Sequence, residues 1–173
     1  MSRLFMCVAI CAAVLASPGS LAQAPSRAAP QPKANIDKMD DAIKKYQDAT
    51  RHYQAGQYKL AEKELEDFLG RVGEHAGANF MMGLVQIELQ NLDKARTSFR
   101  TAVNLDPAMV APRGYLGAVE AFAGNMQGAA EQKAALEKMK TDCAGTCPKA
   151  GEIDTALERV TQNMGAAAQP QPS

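Results

Sequence analysis

Residues 76–109 read AGANFMMGLVQIELQNLDKARTSFRTAVNLDPAM, and they contain the clearest indication of the fold. It contains two helical patterns separated by a polar turn at Gln90-Asn91, which predicts an antiparallel helix pair. Pro107 ends the second pattern, because proline cannot continue the helical hydrogen-bond ladder. One such pair cannot bury its apolar face alone, so the stretch predicts neighbouring pairs of the same kind.

The same pattern recurs on both sides of this stretch, 34 residues away in each direction. When the three 34-residue stretches are aligned, two of the aligned positions (columns) contain only glycine or alanine. This is expected where a larger side chain would force crossing helices apart. These columns are Ala49, Gly83 and Gly117, predicted to face Ala61, Ala95 and Ala129 across each pair. The larger Leu65 and Phe99 are predicted to fill the space toward the next pair. The sequence therefore predicts three stacked pairs, over about residues 42–75, 76–109 and 110–143.

Further segments flank these three rows. Ile153, Leu157, Val160 and Met164 recur at helical spacing and predict a helix over about 148–164 that caps the apolar end of the array. At the other end, the first helix is predicted to begin near Asn35. Residues 25–34 and 165–173 contain alanine and proline without an apolar period, which predicts an extended linker and a disordered tail. The folded domain is thus predicted over residues 35–164.

The 34-residue period, the Gly–Ala columns and the sequence NLDP at Asn104–Pro107 resemble the tetratricopeptide repeat (TPR) family. The resemblance implies an all-α fold, a right-handed superhelical array of three TPR helix pairs plus a C-terminal capping helix. The outer rows depart from the family pattern at Asp48, Gly73, Lys133 and Thr141, as suits rows that face solvent or a capping element. The family also implies a protein–protein interaction scaffold.

The resemblance further implies that the inner, concave face is lined by the first helix of each pair. Carried onto this sequence, the groove would be lined by Tyr46, Thr50, Tyr53, Phe80, Leu84 and Ile87, with Gly114, Ala118 and Ala121 as a floor of small residues. Such an apolar strip suits an amphipathic helix or an extended peptide of a partner protein. The alternative is that the segment around Ile36 or the capping helix folds across the groove and buries the same side chains. The lysine and asparagine set with which some family members bind a C-terminal carboxylate is missing.

Residues 1–24 have the layout of a cleaved secretory signal. Arg3 gives a positive start, an apolar run follows from Leu4 to Ala16, and small residues suited to cleavage stand at positions 20, 22 and 24. Cys11 lies inside the apolar run and follows Ile10, a pattern unlike that of a lipidated cysteine. The sequence therefore predicts an exported protein, periplasmic or secreted after signal cleavage.

Cys143 and Cys147 are the cysteines that remain after signal cleavage, between the last repeat and the capping helix. In an oxidising compartment they are predicted to form a structural disulfide at this corner. Closing so short a loop contributes about 2 kcal/mol by the loop-entropy relation. The alternative function is that of a thiol–disulfide or redox-linked accessory protein acting through the same two cysteines.

Composition and side-chain inventory exclude several other classes of function. The 173 residues carry 19 basic and 19 acidic side chains, whereas a nucleic-acid binder normally shows a basic excess on one face. His52 and His75 are the only histidines, and neither has further ligands at metal-binding spacing. We therefore expect no catalysis, no cofactor, and another protein or peptide as partner, with self-association as a further possibility and membrane contact only through a partner.

Overall fold

The computed structural model describes residues 33–144 and 147–167, and over these residues the chain is helical with no strand. In chain order the helices are α1 (Lys33–Gln54), α2 (Tyr58–Val72), α3 (Ala76–Glu88), α4 (Leu92–Leu105), α5 (Ala111–Phe122), α6 (Met126–Cys143) and α7 (Ala150–Ala167). None of these helices combines the length and the apolar character needed to cross a bilayer. The predicted signal segment, residues 1–24, lies outside the described residues.

Three helix pairs, α1–α2, α3–α4 and α5–α6, stack in chain order, and α7 packs against α5 and α6. Each pair is joined by a three-residue turn whose middle residue is left-handed: Gly56 (φ 70°), Gln90 (φ 61°) and Gly124 (φ 78°). In the second and third turns the N–H of Asn91 or Asn125 donates to the carbonyl five residues earlier, at 2.8 Å. This hydrogen bond satisfies a free carbonyl at the helix end and reverses the chain, so the turn residues set the antiparallel pairing.

The small residues of the two predicted columns are buried or lie in close contact with a neighbouring helix. Ala49, Ala61, Ala95 and Ala129 are fully buried. A Cβ atom added to Gly83 would collide with the ring of Phe99, and one added to Gly117 would lie 2.6 Å from Val160 Cγ2. The side chains closest to these two glycines are thus Phe99 of α4 and Val160 of α7. That the glycines face Ala95 and Ala129 stays a prediction.

The apolar core follows the stacking of the pairs. Leu65 and Phe68 of α2 pack with Met82 and Val85 of α3, between the first and second rows. Between the second and third rows, Phe99 packs in one cluster with residues of α4 and α5, namely Val103, Leu116 and Val119. The prediction that Leu65 and Phe99 fill the space toward the next pair is confirmed.

Buried polar groups also join one row to the next. Glu62 of α2 accepts a hydrogen bond from the Gln86 amide of α3, with 2.8 Å between Oε1 and Nε2. At the next interface Arg100 of α4 donates to Glu120 of α5, with 2.5 Å between Nη2 and Oε1. Gln86 and Glu120 are each 2% exposed, so each needs its partner to offset the loss of water.

The ends of the helical domain differ from the prediction. Helix α1 begins at Lys33, because proline is tolerated immediately before the first helical turn and Pro32 marks that boundary. Helix α7 runs to Ala167 instead of ending at Met164, because Gly165 is followed by the strong helix formers Ala166 and Ala167. Residues 25–32 of the predicted linker and 168–173 of the predicted tail lie outside the described residues.

Candidate functional site

The predicted groove residues of α1 lie within or beside the first helix pair. Tyr46 packs against Phe68 and His75, with ring centroids 5.3 and 6.0 Å apart, and thus belongs partly to the first-row core. Thr50 is half-buried and donates from Oγ1 to the Tyr46 carbonyl at 3.0 Å. Tyr53 lies near the end of α1 and contacts Tyr58 of α2, with ring centroids 5.7 Å apart. Tyr46 and Tyr53 therefore both pack against the first-row core.

An acidic side chain adjoins the two tyrosines. Burial raises the pKa of Tyr53, and the charge of Glu88, at the end of α3, raises it further, followed by Tyr115 and Tyr58. Burial, Glu88 charge and a Glu88 hydrogen bond likewise raise the pKa of Tyr58. A negative charge near a phenol disfavours its ionisation, so both hydroxyls stay protonated and able to donate at neutral pH.

The second row presents an aromatic cluster. Phe80 of α3 contacts Phe99 and Tyr115, with ring centroids 5.9 and 5.7 Å apart, and Tyr115 of α5 stacks on Phe99 at 5.4 Å. Leu84 and Ile87 pack against the same cluster and remain half-buried, as does Phe80. These three predicted residues therefore form a continuous apolar surface on α3.

The third row is covered by α7. A Cβ atom on Gly114 would lie 2.8 Å from Ala156 Cβ and 3.0 Å from its Cα, so the two helices approach through their backbones. Ala118 is only 9% exposed and Ala121 is fully buried. The prediction that Ala118 lines an open groove is therefore wrong: α7 packs onto this face of α5, as the alternative for the capping helix anticipated. The surface left for a partner is on α1 and α3.

Polar contacts fix the start of α7 on the third row. The Ala111 N–H donates to a carboxylate oxygen of Glu152 at 3.2 Å, and the Lys149 ammonium donates to the Ala108 carbonyl at 3.0 Å. Farther along α7, the guanidinium of Arg159 lies over the ring of Tyr115, 4.0 Å from its centroid. Arg159 thus borders the aromatic cluster that contains Phe80.

Cys143 ends α6 and Cys147 precedes α7; their sulfurs are bonded and their Cα atoms are 5.3 Å apart. Both cysteines line an open cleft of about 510 Å³, together with Met139, Lys149 and Ile153. Whether the bond forms in the cell stays a prediction. The geometry is compatible with a short loop that holds the corner between α6 and α7.

The histidines have local roles. His75 precedes α3, and its Nδ1 accepts a hydrogen bond from the Ala78 N–H at 3.1 Å, which caps the helix. His52 contacts the Gln57 side chain, with 2.6 Å between Nδ1 and Oε1. Within residues 33–144 and 147–167, no three histidine, cysteine or acidic side chains are grouped as a metal site would require.

Three residues contribute to this surface without having been predicted from the sequence: Glu88, Tyr115 and Arg159. A signal existed for Tyr115, which is a large aromatic residue beside the small Gly114 on the first helix of the third row. Arg159 gave no signal, because a charged residue on an amphipathic helix normally faces solvent. Only the close approach of α7 to α5 brings it over Tyr115.

Comparison with known proteins agrees with this architecture. A sequence profile of the family described as tetratricopeptide repeat matches residues 46–110 and 80–138. No curated protein sequence matches the chain.

Solved structures extend the likeness to the arrangement of the helices. One is the TPR2B domain of yeast Sti1 in complex with pHsp70, with 19% identity, coverage of 70% of this chain and 96% of that chain, and a TM-score of 0.58. The second TPR domain of human RPAP3, in complex with an HSP70 peptide, has 14% identity, coverage of 77% and 99%, and a TM-score of 0.57. PcrH of Pseudomonas aeruginosa, in complex with the chaperone-binding region of PopB, has 16% identity, coverage of 72% and 94%, and a TM-score of 0.58. At these identities the likeness concerns the fold, and it confirms the predicted all-α superhelical array of helix pairs.

Proposed function

The chain belongs to the tetratricopeptide repeat family, and from this membership we propose that it is a protein–protein interaction scaffold of the periplasm or cell envelope. It binds a peptide or helix of a partner protein in the groove formed by α1 and α3. TPR domains are in general interaction modules without catalytic activity, and the proposal assigns this chain no reaction and no cofactor.

The observation that carries the proposal is the half-buried apolar surface of the second row. Phe80, Leu84 and Ile87 lie next to one another on α3, and Tyr53 lies on α1, the first helix of the preceding pair. A contiguous apolar surface on a small soluble domain is typical of a binding site. Because α7 already covers the third row, the partner segment is expected to be short and to contact the first two rows.

The complexes of the similar structures support this use of the fold. The Sti1 and RPAP3 domains were solved with Hsp70-derived partners, and PcrH was solved with a region of PopB. In each case the partner is a protein or a peptide. We propose the same class of partner for this chain.

The proposed location rests on the sequence of residues 1–24, with its positive start, apolar run and small-residue cleavage positions. Cell fractionation and mass spectrometry of the mature N-terminus test it. A mature chain starting near residue 25 in the periplasmic or secreted fraction is expected. An intact Met1 in the cytosolic fraction would refute export and leave the groove proposal standing.

The alternative function, thiol–disulfide exchange, has one observation in its favour. Cys143 and Cys147 line an open cleft, so a small thiol has access to them. Titration of thiols in the protein taken from its native compartment, before and after glutathione treatment, separates the two functions. A bridge that glutathione leaves intact eliminates the exchange function, whereas a readily reduced one favours it.

Selection from a displayed library of random short peptides tests the groove. The full chain is expected to enrich peptides with apolar anchors, and Leu84→Asp is expected to abolish this enrichment while circular dichroism remains helical. Leu60→Asp is the matched control, because Leu60 is 46% exposed on α2, outside the proposed groove. Failure of the wild-type chain to enrich any peptide, or equal loss in both variants, would contradict the proposal.

A further inference from the structure

We propose that Arg159 makes the groove selective for partner segments that carry a carboxylate beside an apolar anchor. This inference rests on the proposed function and specifies the chemistry of its ligand. Arg159 belongs to α7, outside the three helix pairs, so the positive charge is supplied by the capping helix. The occupant we infer is a segment of another protein with an aspartate or glutamate next to a large apolar side chain.

The first step of the argument is the position of the guanidinium. Arg159 lies over one face of Tyr115, at 4.0 Å, while Phe99 stacks on this ring at 5.4 Å and 24°. Tyr115 in turn contacts Phe80, which belongs to the proposed groove. The charge is therefore one aromatic ring away from the apolar surface, and a segment anchored on Phe80 brings its neighbouring residues to Arg159.

The second step is the absence of an internal partner. Arg51, Arg71, Arg96 and Arg100 are in ion pairs, and Arg113 donates to the Pro107 carbonyl and to Gln132. The Arg159 guanidinium has neither an ion pair nor a hydrogen bond with any residue in the described part of the chain, and the residue is half-buried. Its main-chain carbonyl accepts a hydrogen bond from the Asn163 amide at 2.9 Å. Its neighbour Glu158 accepts a hydrogen bond from Gln162 instead, at 2.9 Å.

The third step is the chemistry that such a group recognises. A guanidinium has five donors in a planar fork that matches a carboxylate with two parallel hydrogen bonds. Stacking on Tyr115 fixes the plane of the fork, so less side-chain entropy is lost when a ligand binds. Partial burial beside aromatic rings also weakens screening by water, which strengthens the attraction for an anion.

The arrangement differs from a surface arginine that happens to be unpaired. Gly114 and Gly117 allow α7 to approach α5, and this approach is what places Arg159 over Tyr115. Glu88, at the end of α3, carries a negative charge that raises the pKa of Tyr53 and of Tyr58. Charge in the groove is therefore divided, with the positive group on the α7 side.

The test is a peptide selection followed by a double-mutant cycle. A displayed library of random short peptides is selected on the full chain, and the best peptide is synthesised with its acidic residue as glutamate and as glutamine. We expect enrichment of acidic residues next to apolar ones, and about tenfold weaker binding of the glutamine peptide to the wild-type chain. The Arg159→Gln variant is expected to bind both peptides equally.

Two further variants serve as controls. Arg159→Lys retains a positive charge and is expected to retain part of the preference. Lys138→Gln removes an exposed positive charge from α6, outside the groove, and is expected to leave the preference intact. Peptides selected without acidic enrichment, or a glutamate preference that persists in Arg159→Gln, would overturn this inference and leave the proposed function in place. A library from which the wild-type chain selects nothing would overturn both. The two peptides on the wild-type chain remain informative even if Arg159→Gln fails to fold.

Discussion

Gly114 of α5 and Ala156 of α7 are in backbone contact: a Cβ atom on the glycine would lie 2.8 Å from Ala156 Cβ. This contact decides how much of the groove is open, because it lets α7 lie on the face of α5 that a partner would otherwise occupy. It also brings Arg159, on the same helix, over Tyr115. Gly114 on α5 thus affects both how much of the groove is open and where its positive charge lies.

We expect Gly114→Val to destabilise the fold by about 1–3 kcal/mol, because the added side chain would overlap the backbone of Ala156, which cannot rotate away. Urea unfolding followed by circular dichroism measures the change. Gly70→Ala is the matched control: nothing lies within 4 Å of a Cβ at this helical position, and the variant should gain up to about 1 kcal/mol. Equal stability of Gly114→Val and the wild type would show that α7 does not pack this closely.

Glu62 makes the stability dependent on pH. The hydrogen bond from Gln86 lowers the pKa of Glu62 below its ordinary value of 4.5; burial opposes this effect, and Lys59 and Lys94 reinforce it. Because the folded-state pKa is lowered, the ionised carboxylate stabilises the fold above about pH 4.5, and this contribution disappears as the pH falls through the lowered pKa.

The variant Glu62→Gln is therefore expected to be less stable than the wild type at about pH 7 and to approach wild-type stability as the pH falls below the lowered pKa of Glu62. The measurement is the difference between the two unfolding free energies at each pH. Glu66→Gln is the control, since Glu66 is exposed on the same helix and makes no ion pair with residues 33–144 or 147–167. A wild-type advantage that stays constant with pH would argue against this assignment to Glu62.

Removing the Cys143–Cys147 disulfide should reduce the stability of the connection between α6 and α7. We expect Cys143→Ser combined with Cys147→Ser to lower the free energy of unfolding by about 2 kcal/mol or less, because the closed loop is short. Comparison with the oxidised wild type by urea unfolding gives the value, and the reduced wild type should match the double variant. If reduction changes nothing, the predicted bridge does not contribute to stability.

His75 should contribute through its cap and its ring. His75→Ala is expected to cost about 1 kcal/mol, because the Ala78 N–H loses its acceptor at the start of α3. His75→Asn can restore the acceptor but not the aromatic contact with Phe68, whose ring centroid is 5.3 Å away, so it should be intermediate. Thermal unfolding of the three proteins measures both differences. An asparagine variant as unstable as the alanine variant would assign the whole effect to the ring.

The concave surface was predictable only in part, and the reason is visible in particular residues. Phe80, Leu84 and Ile87 could be assigned to it because helical periodicity places them on one face of a first helix. Tyr46 has the same periodicity, yet it packs on Phe68 and His75. Position along a helix specifies a face, whereas the neighbours on that face depend on how successive pairs stack.

The array of helix pairs follows from local features of the sequence. Turn residues every 34 positions reverse the chain, and small residues at the crossings let the helices nest, because both effects act through local backbone geometry and side-chain size. The position of α7, the burial of Ala118 and the contact between Arg159 and Tyr115 depend instead on tertiary packing. These contacts join residues far apart in the chain, and no periodicity specifies them: they follow from which helices can approach closely enough to exclude water.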